Sequence, residues 1–464
     1  MNLSLQFLGA SGTVTGSKYL LSDGRRNYLI DCGLFQGPRE LDDLNWEPLP
    51  FDVKQLDAVI LTHAHIDHTG YLPRLIRDGY SGPVHASEGT CALLRLLLPD
   101  SGFLQEEQAK YINKKGYSKK SIYPLYTQQQ AFQALKSLVE HPLGESFVVD
   151  DQCSITLRSA GHILGSSILE CDINGLKIVF SGDLGRYDQE VMKSPTSITE
   201  ADVLLVESTY GNRLHGQDSL ETQLADVVNA VVERKGVLLI PGFAVGRTQH
   251  ILYFLRKLQD KLMIPKLPIA IDSPMSTDAT HIYCQFGNEH NLNVNLIMDD
   301  RLCPLRCPET QFIQSVEDSK RLNFSEGPRV IISASGMCNG GRIVHHLKHR
   351  LPDPKNAVLF VGYQSLGTRG RALVEGAKEV KIHGDRIPVR AQITSIGGLS
   401  AHADYQDLLR WLSGFHAQPQ QTFIVHGEPQ ASQALQAHIK SELGWATHVA
   451  RHREIVVLGR GRKW

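Results

Sequence analysis

Residues 61–70 read LTHAHIDHTG and gather His63, His65, Asp67 and His68 within six positions. Side chains alternate along an extended segment, so His63 and His65 fall on the same side of the backbone. Asp67 and His68 then open the turn into the next element. Imidazole nitrogens and carboxylate oxygens together suit zinc or another divalent transition metal, and two pairs of donors invite two ions. A solvated polar loop would account for the composition but not for its place directly after the apolar run DAVIL.

Three further donors stand at comparable places. His162 lies in the Gly- and Ser-rich turn SAGHILGSS, and Asp183 directly follows the apolar run of LKIVFSGD. His426 directly follows the apolar run of TFIVHGEP. A single histidine at a strand end is ordinarily structural; the three residues together supply the donors that two ions still need.

The elements that must hold these residues read as follows. Strand-like runs LSLQFLG, SKYLLS, RNYLIDCG and LDAVILTHAH fill the first 65 residues, punctuated by glycine and Asp–Gly turns. Helical patterns follow at YLPRLIRDG and GTCALLRLLL, and then a lysine-dotted polar stretch covers 105–130. The segment CSITLRSAGHILGSSILECDINGLKIVFSGD returns to strands, with Asn174–Gly175 as a hairpin turn. From about position 209 the rhythm changes to strand, turn, helix, as in RVIISASGMCNGGRIVHHLKHRL and NAVLFVGYQSLGTRGRAL. Such alternation argues a parallel sheet covered by helices. Near 377 the hairpin style resumes, so the expected division is one α/β domain over 1–208 and 377–464, interrupted by a second α/β domain over 209–376.

Composition bounds the functions open to this chain of 464 residues, which is long for one ordinary core. A net charge of −1 excludes a global field that attracts polyanions, leaving local patches or bound metal to do so. The 8 cysteines form no regular framework and read as reduced thiols of a cytoplasmic protein. The start MNLSLQFLGASG lacks a basic, then greasy, leader pattern, and CALLRLLLP is too short to span a bilayer, so no membrane association is expected.

Taken with Asp31 in LIDCG, the residues THAHIDH, His162 and Asp183 resemble the metallo-β-lactamase superfamily. VESTYG with Glu207, GGLSAHADY with His402 and IVHGE with His426 are similar to the three extra motifs of its β-CASP branch. That branch includes the cleavage-and-polyadenylation endonuclease and bacterial ribonuclease J. The resemblance covers essentially the whole chain in the family's motif order, with no departure at a metal position. It implies an αββα sandwich with an inserted β-CASP domain, and two zinc ions as cofactors. One ion would be held by His63, His65, His162 and Asp183, the other by Asp67, His68, Asp183 and His426, with Asp183 bridging. Asp31 would support the histidine loop without touching metal. Asp67, Glu207 and His402 form the implied catalytic set: His402 would be the general acid, oriented by Glu207. The implied reaction is attack of activated water on phosphorus in single-stranded RNA, leaving 5′-phosphate and 3′-hydroxyl ends.

Further residues carry two readings each. Ser400 either donates to the scissile phosphate or caps the helix ADYQDLLRWL. Arg247 (AVGRTQ), Ser335 (SASGM) and Arg342 (NGGR) stand where helices of the inserted domain begin, and either bind backbone phosphates or cap and pack. The basic runs INKKGYSKK and GRGRKW either meet RNA or are solvated faces. His345, His346 and His349 in VHHLKHR read as a surface face. A small-molecule hydrolase would need neither the inserted domain nor His402. DNA-processing members of the branch typically carry valine where this chain has His426, and inactive scaffolds lose metal ligands that are all present here. The oligomeric state is open, a homodimer among the options.

Overall fold

Leu3, Leu5 and Phe7 are buried, while Ser4 and Gln6 between them are only partly so, the period-two burial of a strand with one face on a core. The computed structural model describes residues 3–115, 121–216, 219–242, 245–293, 296, 303–362, 364, 367–396 and 400–459. Leu3–Phe7 joins a seven-stranded sheet in the order Ile455–Leu458, Leu3–Phe7, Tyr19–Ser22, Asn27–Ile30, Ala58–Ile60, Val84–Ser87, Leu138–His141. A second seven-stranded sheet runs His448–Val449, Gln421–Val425, Val203–Glu207, Leu176–Phe180, Ser167–Ile173, Cys153–Ser159, Ser146–Asp150.

The inner faces of the two sheets meet in one core. Leu5, Phe7, Tyr19, Ile30 and Ile60 of the first pack with Ile155, Leu169, Phe180, Leu205 and Phe423 of the second. On the outer face of the second sheet, Val179, Leu204, Val206 and Ile424 are covered by Leu408, Trp411 and Leu412 of the helix Tyr405–Leu412 and by Leu435 and Ile439 of Pro429–Leu443. The helix Glu88–Lys115 packs on Val84–Ser87 and Leu138–His141 of the first sheet. The layers are the αββα sandwich expected from the sequence.

These elements form the unit Met1–Leu214 with His402–Trp464; His215–Ala401 form a second unit. Its sheet of six parallel strands runs Thr310–Phe312, Ile269–Asp272, Arg329–Ser333, Val237–Pro241, Ala357–Phe360, Gln392–Ser395. Both faces are covered, Leu238 and Ile240 pointing into one core and Val237 and Leu239 into the other, which is why VLLIP reads as a continuous apolar run.

Two features differ from the sequence reading. The helix Glu88–Lys115 continues through Pro99 into the stretch read as polar connection, because Leu97, Leu98 and Ala109 keep a buried face along it. The strand Gln392–Ser395 pairs with Ala357–Phe360, so the chain re-enters the first unit at His402 and not near 377. Hairpin style is a local signal, and it does not reveal which sheet a strand joins. All 8 cysteines carry free thiols. Among the described residues no helix is long and apolar enough to cross a membrane.

The first unit's topology places the site. Asn27–Ile30 and Ala58–Ile60 are parallel neighbours, and so are Leu176–Phe180, Val203–Glu207 and Gln421–Val425. Parallel pairing sets the carboxyl ends of neighbouring strands side by side, so residues that follow each strand can converge.

Candidate metal centre

The segments leaving those strands, with the turn between Cys153–Ser159 and Ser167–Ile173, bring the seven predicted donors into two sets. His63 Nε2 lies 3.1 Å from His65 Nδ1, which lies 3.2 Å from His162 Nε2. Asp183 Oδ2 is 3.5 Å from His63 Nε2 and 3.6 Å from His162 Nε2. In the other set His68 Nε2 is 3.1 Å from His426 Nε2. Asp67 Oδ2 lies 3.6 Å from His426 Nε2 and 3.9 Å from His68 Nε2. Asp183 turns its second oxygen toward this set, Oδ1 standing 3.3 Å from His68 Nε2.

These spacings fit a metal. Atoms about 2.0–2.1 Å from a tetrahedral ion stand roughly 3.3 Å from one another, and the first set spans 3.1–3.6 Å. Asp183 Oδ1 is buried and accepts no hydrogen bond among the described residues, a need that a divalent cation meets. The mixture of imidazole and carboxylate is the donor chemistry of zinc.

The electrostatics agree. Burial holds His63 well below the ordinary histidine range, and the neighbouring His68 adds to the effect. Burial likewise lowers His65 to about 4. Both imidazoles are therefore neutral at pH 7, the form that coordinates. Burial would also depress His68, but the Asp183 and Asp31 carboxylates outweigh it and raise His68 well above its usual value. Burial alone would raise Asp183; the histidines His426, His68, His63 and His402 around it overcome that and keep it ionised.

Beside the donors, His402 Nδ1 lies 3.3 Å from Glu207 Oε1 and 3.8 Å from Asp183 Oδ2. Glu207 is fully buried at the end of its strand, and its Oε1 also accepts from the Leu184 amide at 2.6 Å. His402 is held from its backbone as well, in a bridge with Gly185. Asp31 Oδ2 lies 2.7 Å from His68 Nδ1, on the opposite side of that ring from the donor atom.

The pattern of the metallo-β-lactamase superfamily matches residues 12–242, that of the Beta-Casp domain 248–373, and that of the Zn-dependent metallo-hydrolase RNA specificity domain 386–450. The chain is 38% identical to Ribonuclease TTHA0252 of Thermus thermophilus, over 92% of this chain and 94% of that protein. The chain belongs to the β-CASP branch of the metallo-β-lactamase superfamily. It is also 31% identical to the transcription termination factor FttA of Methanosarcina mazei, over 97% of this chain and 71% of that protein. With the RNase J-like protein of Methanocaldococcus jannaschii it shares 30% identity over 91% of this chain and 92% of that protein.

The remaining candidate residues of this β-CASP protein divide. Ser400 is buried, and its hydroxyl makes no hydrogen bond among the described residues. It does not cap the following helix, whose N-cap is Asp404, accepting from the amides of Gln406 and Asp407. Arg247 opens the helix Arg247–Asp260 and lays its guanidinium against Gly362, where a Cβ would come within 2.2 Å of Nη1. Ser335 donates to the Gly340 carbonyl at 3.3 Å, closing its own turn. Arg342 follows the second of its two readings, packing within its own unit: it donates to Asp272 at 2.8 Å and to the carbonyls of Ile313 and Gln314. Asp272 is fully buried and takes that cation, together with Ser319 at 2.6 Å and His346 at 2.7 Å. His346 is thus a core residue and not part of a surface face. Of the basic runs, 116–120 and 460–464 lie outside the described residues.

Sequence reading missed three hydroxyls. Ser17, Thr62 and Thr209 all bond to the buried carboxylates of this site. Their only signal in the sequence is adjacency to the motifs, Thr62 beside His63 and Thr209 two residues after Glu207.

Proposed function

We propose that this chain is a zinc-dependent ribonuclease that hydrolyses phosphodiester bonds of single-stranded RNA, leaving 5′-phosphate and 3′-hydroxyl ends. The observation that carries the proposal is the pair of donor sets joined through Asp183, with His402 beside them on Glu207. His63, His65, His162 and Asp183 would hold one zinc; Asp67, His68, His426 and Asp183 would hold the second. Zinc held by these residues would supply an activated water near neutral pH and would offset charge on phosphate oxygens.

The chain's own residues supply the rest. His402 stands at the rim of both sets and presents an imidazole able to give a proton to the departing ribose oxygen. Glu207 fixes the orientation of that ring through Nδ1. Ser400 is proposed as a donor to phosphate, a reading supported by its buried hydroxyl making no hydrogen bond among the described residues. RNA as the substrate is supported by the match to an RNA specificity domain over 386–450, by the ribonuclease names of the Thermus and Methanocaldococcus relatives, and by His426 at the position where DNA-processing members carry valine. Free thiols throughout fit a cytoplasmic setting.

Water attacking phosphorus keeps the new oxygen on the phosphate, whereas attack by the neighbouring 2′-hydroxyl would give a cyclic phosphate. The test is digestion of one RNA labelled at either end, with the product termini identified. Cyclic phosphates would overturn the mechanism. Equal rates on DNA of the same sequence would overturn the substrate.

A further inference from the structure

We infer that Thr209 is a positioning residue: its hydroxyl ties Nδ1 of His426 to Glu207, so one carboxylate orients both a donor of the second set and His402. Thr209 Oγ1 lies 2.5 Å from Glu207 Oε2 and 3.1 Å from His426 Nδ1. A hydroxyl has one proton and two lone pairs. An ionised carboxylate only accepts, so the short contact takes the threonine proton. Oγ1 must then accept from His426, which requires the proton of that ring to sit on Nδ1. The other acceptor near Nδ1, Asp183 Oδ1, is farther at 3.5 Å. The tautomer leaves the lone pair on Nε2, the atom that faces His68 Nε2 at 3.1 Å and Asp67 Oδ2 at 3.6 Å.

Glu207 divides its two oxygens accordingly. Oε2 receives Thr209, from the hydroxyl and from the amide at 3.3 Å. Oε1 faces His402 Nδ1 at 3.3 Å and takes the Leu184 amide. The same device serves the first set: Thr62 Oγ1 donates to Asp31 Oδ2 at 3.0 Å and meets His63 Nδ1 at 3.1 Å. A carboxylate, a threonine hydroxyl and the Nδ1 edge of a donor histidine thus stand together twice, the Asp31–Thr62 pair also backing His68 Nδ1, 2.7 Å from Asp31 Oδ2 and 3.4 Å from Thr62 Oγ1. Partners of this kind fix the ring orientation and tautomer of metal-binding histidines, and losing one costs about 10–100-fold in affinity or activity.

The inference rests on the two-metal proposal above, and its test separates the two. Stepwise zinc affinities would be measured by chelator competition for the wild-type chain, T209V, T209S and T62V, with folding checked by circular dichroism. T209V should lose roughly 10–100-fold at one step while T209S stays near wild type. T62V should weaken zinc binding at both steps, because Thr62 meets His63 Nδ1 and also backs His68 through Asp31. T209V should also lower kcat more than it changes KM, and T209S should restore it. Wild-type affinity in T209V, or T209S as weak as T209V, would overturn the role of Thr209. If the wild-type chain binds a single zinc, the two-metal proposal fails. The Thr209 assignment then stands or falls on nitrogen-15 histidine spectra of the metal-free protein. The His426 Nδ1–H signal, identified by its loss in His426→Gln, should be present in wild type and T209S and absent in T209V; an Nε2–H form in the wild type would overturn it.

Discussion

Asp31 Oδ2 lies 2.7 Å from Nδ1 of His68, while Oδ1 of the same carboxylate accepts from the Thr62 amide at 2.8 Å. The aspartate reaches both because its backbone is left-handed, with φ of 58°, a conformation aspartate tolerates better than most residues. One carboxylate therefore locks the start of the histidine loop to the ring of a donor further along it. Asp31→Asn keeps the size and removes the charge. It should weaken zinc binding by about 10–100-fold without unfolding the chain, a loss read by chelator competition.

His402 stands outside both donor sets, 3.8 Å from the nearest Asp183 oxygen. His402→Ala should therefore leave the zinc content unchanged and depress turnover by roughly 10²–10⁴, the usual loss for a general acid. His63→Ala should instead lower the zinc content. Loss of zinc from His402→Ala would put that ring among the ligands and overturn its assignment.

Acid should destabilise the metal-free protein. Burial lowers His65 to about 4 and holds His63 well below its usual range, whereas in the unfolded chain both titrate near 6.5. His85, away from the site, is also lowered to about 4 by burial. Between pH 6.5 and about 4 the unfolded state binds more protons than the native state at these groups, so stability falls as pH falls. His68 has the opposite sign: its raised value contributes stability that is complete below 6.5 and disappears as pH rises through the native value. Zinc must displace that proton, so uptake should release protons into a weakly buffered solution. A melting temperature that is flat or rising from pH 6.5 to 4.5 would contradict the first expectation, and proton-neutral zinc uptake the second.

Arg342→Met should cost stability. It would leave the fully buried Asp272 without its cation, and removing one partner of a buried pair costs on the order of 3 kcal/mol. The drop should appear in thermal unfolding. The KM for RNA of the protein that remains folded should be unchanged, because the guanidinium is already committed to Asp272 and two carbonyls.

Arg342 also marks where the sequence stops being legible. His63, His65, Asp67 and His68 announce themselves because they fall within six positions, and Asp183 and His426 because each follows an apolar run that must be a buried strand; Asp31 is legible only through the family resemblance. Parallel pairing does the rest, and it follows from the fold class. A partner distant in sequence leaves no such trace: nothing near Arg342 shows that it turns back to Asp272, or that Gln392–Ser395 joins Ala357–Phe360. The hydroxyls of Thr62 and Thr209 were invisible for a related reason. Threonine is common, and only the position of two lone pairs and one proton gives it a role.

Arg247 is partly exposed at the first turn of its helix, with its guanidinium where a side chain on Gly362 would begin. A Cβ at residue 362 would lie 2.2 Å from Nη1 and 2.4 Å from Cζ. Those atoms are the far end of a flexible side chain, so Gly362→Ala should displace the guanidinium and leave the sheet intact. Its melting temperature should therefore stay close to that of the wild type. If Arg247 binds a backbone phosphate, losing one charge-assisted hydrogen bond of about 1.5–3 kcal/mol should raise KM for RNA roughly tenfold or more, with kcat less affected. Arg247→Ala should raise KM similarly, and combining the two should add little, because both remove the same contact. If the arginine only packs, Gly362→Ala would change the melting temperature and leave KM alone, and the phosphate role would be withdrawn.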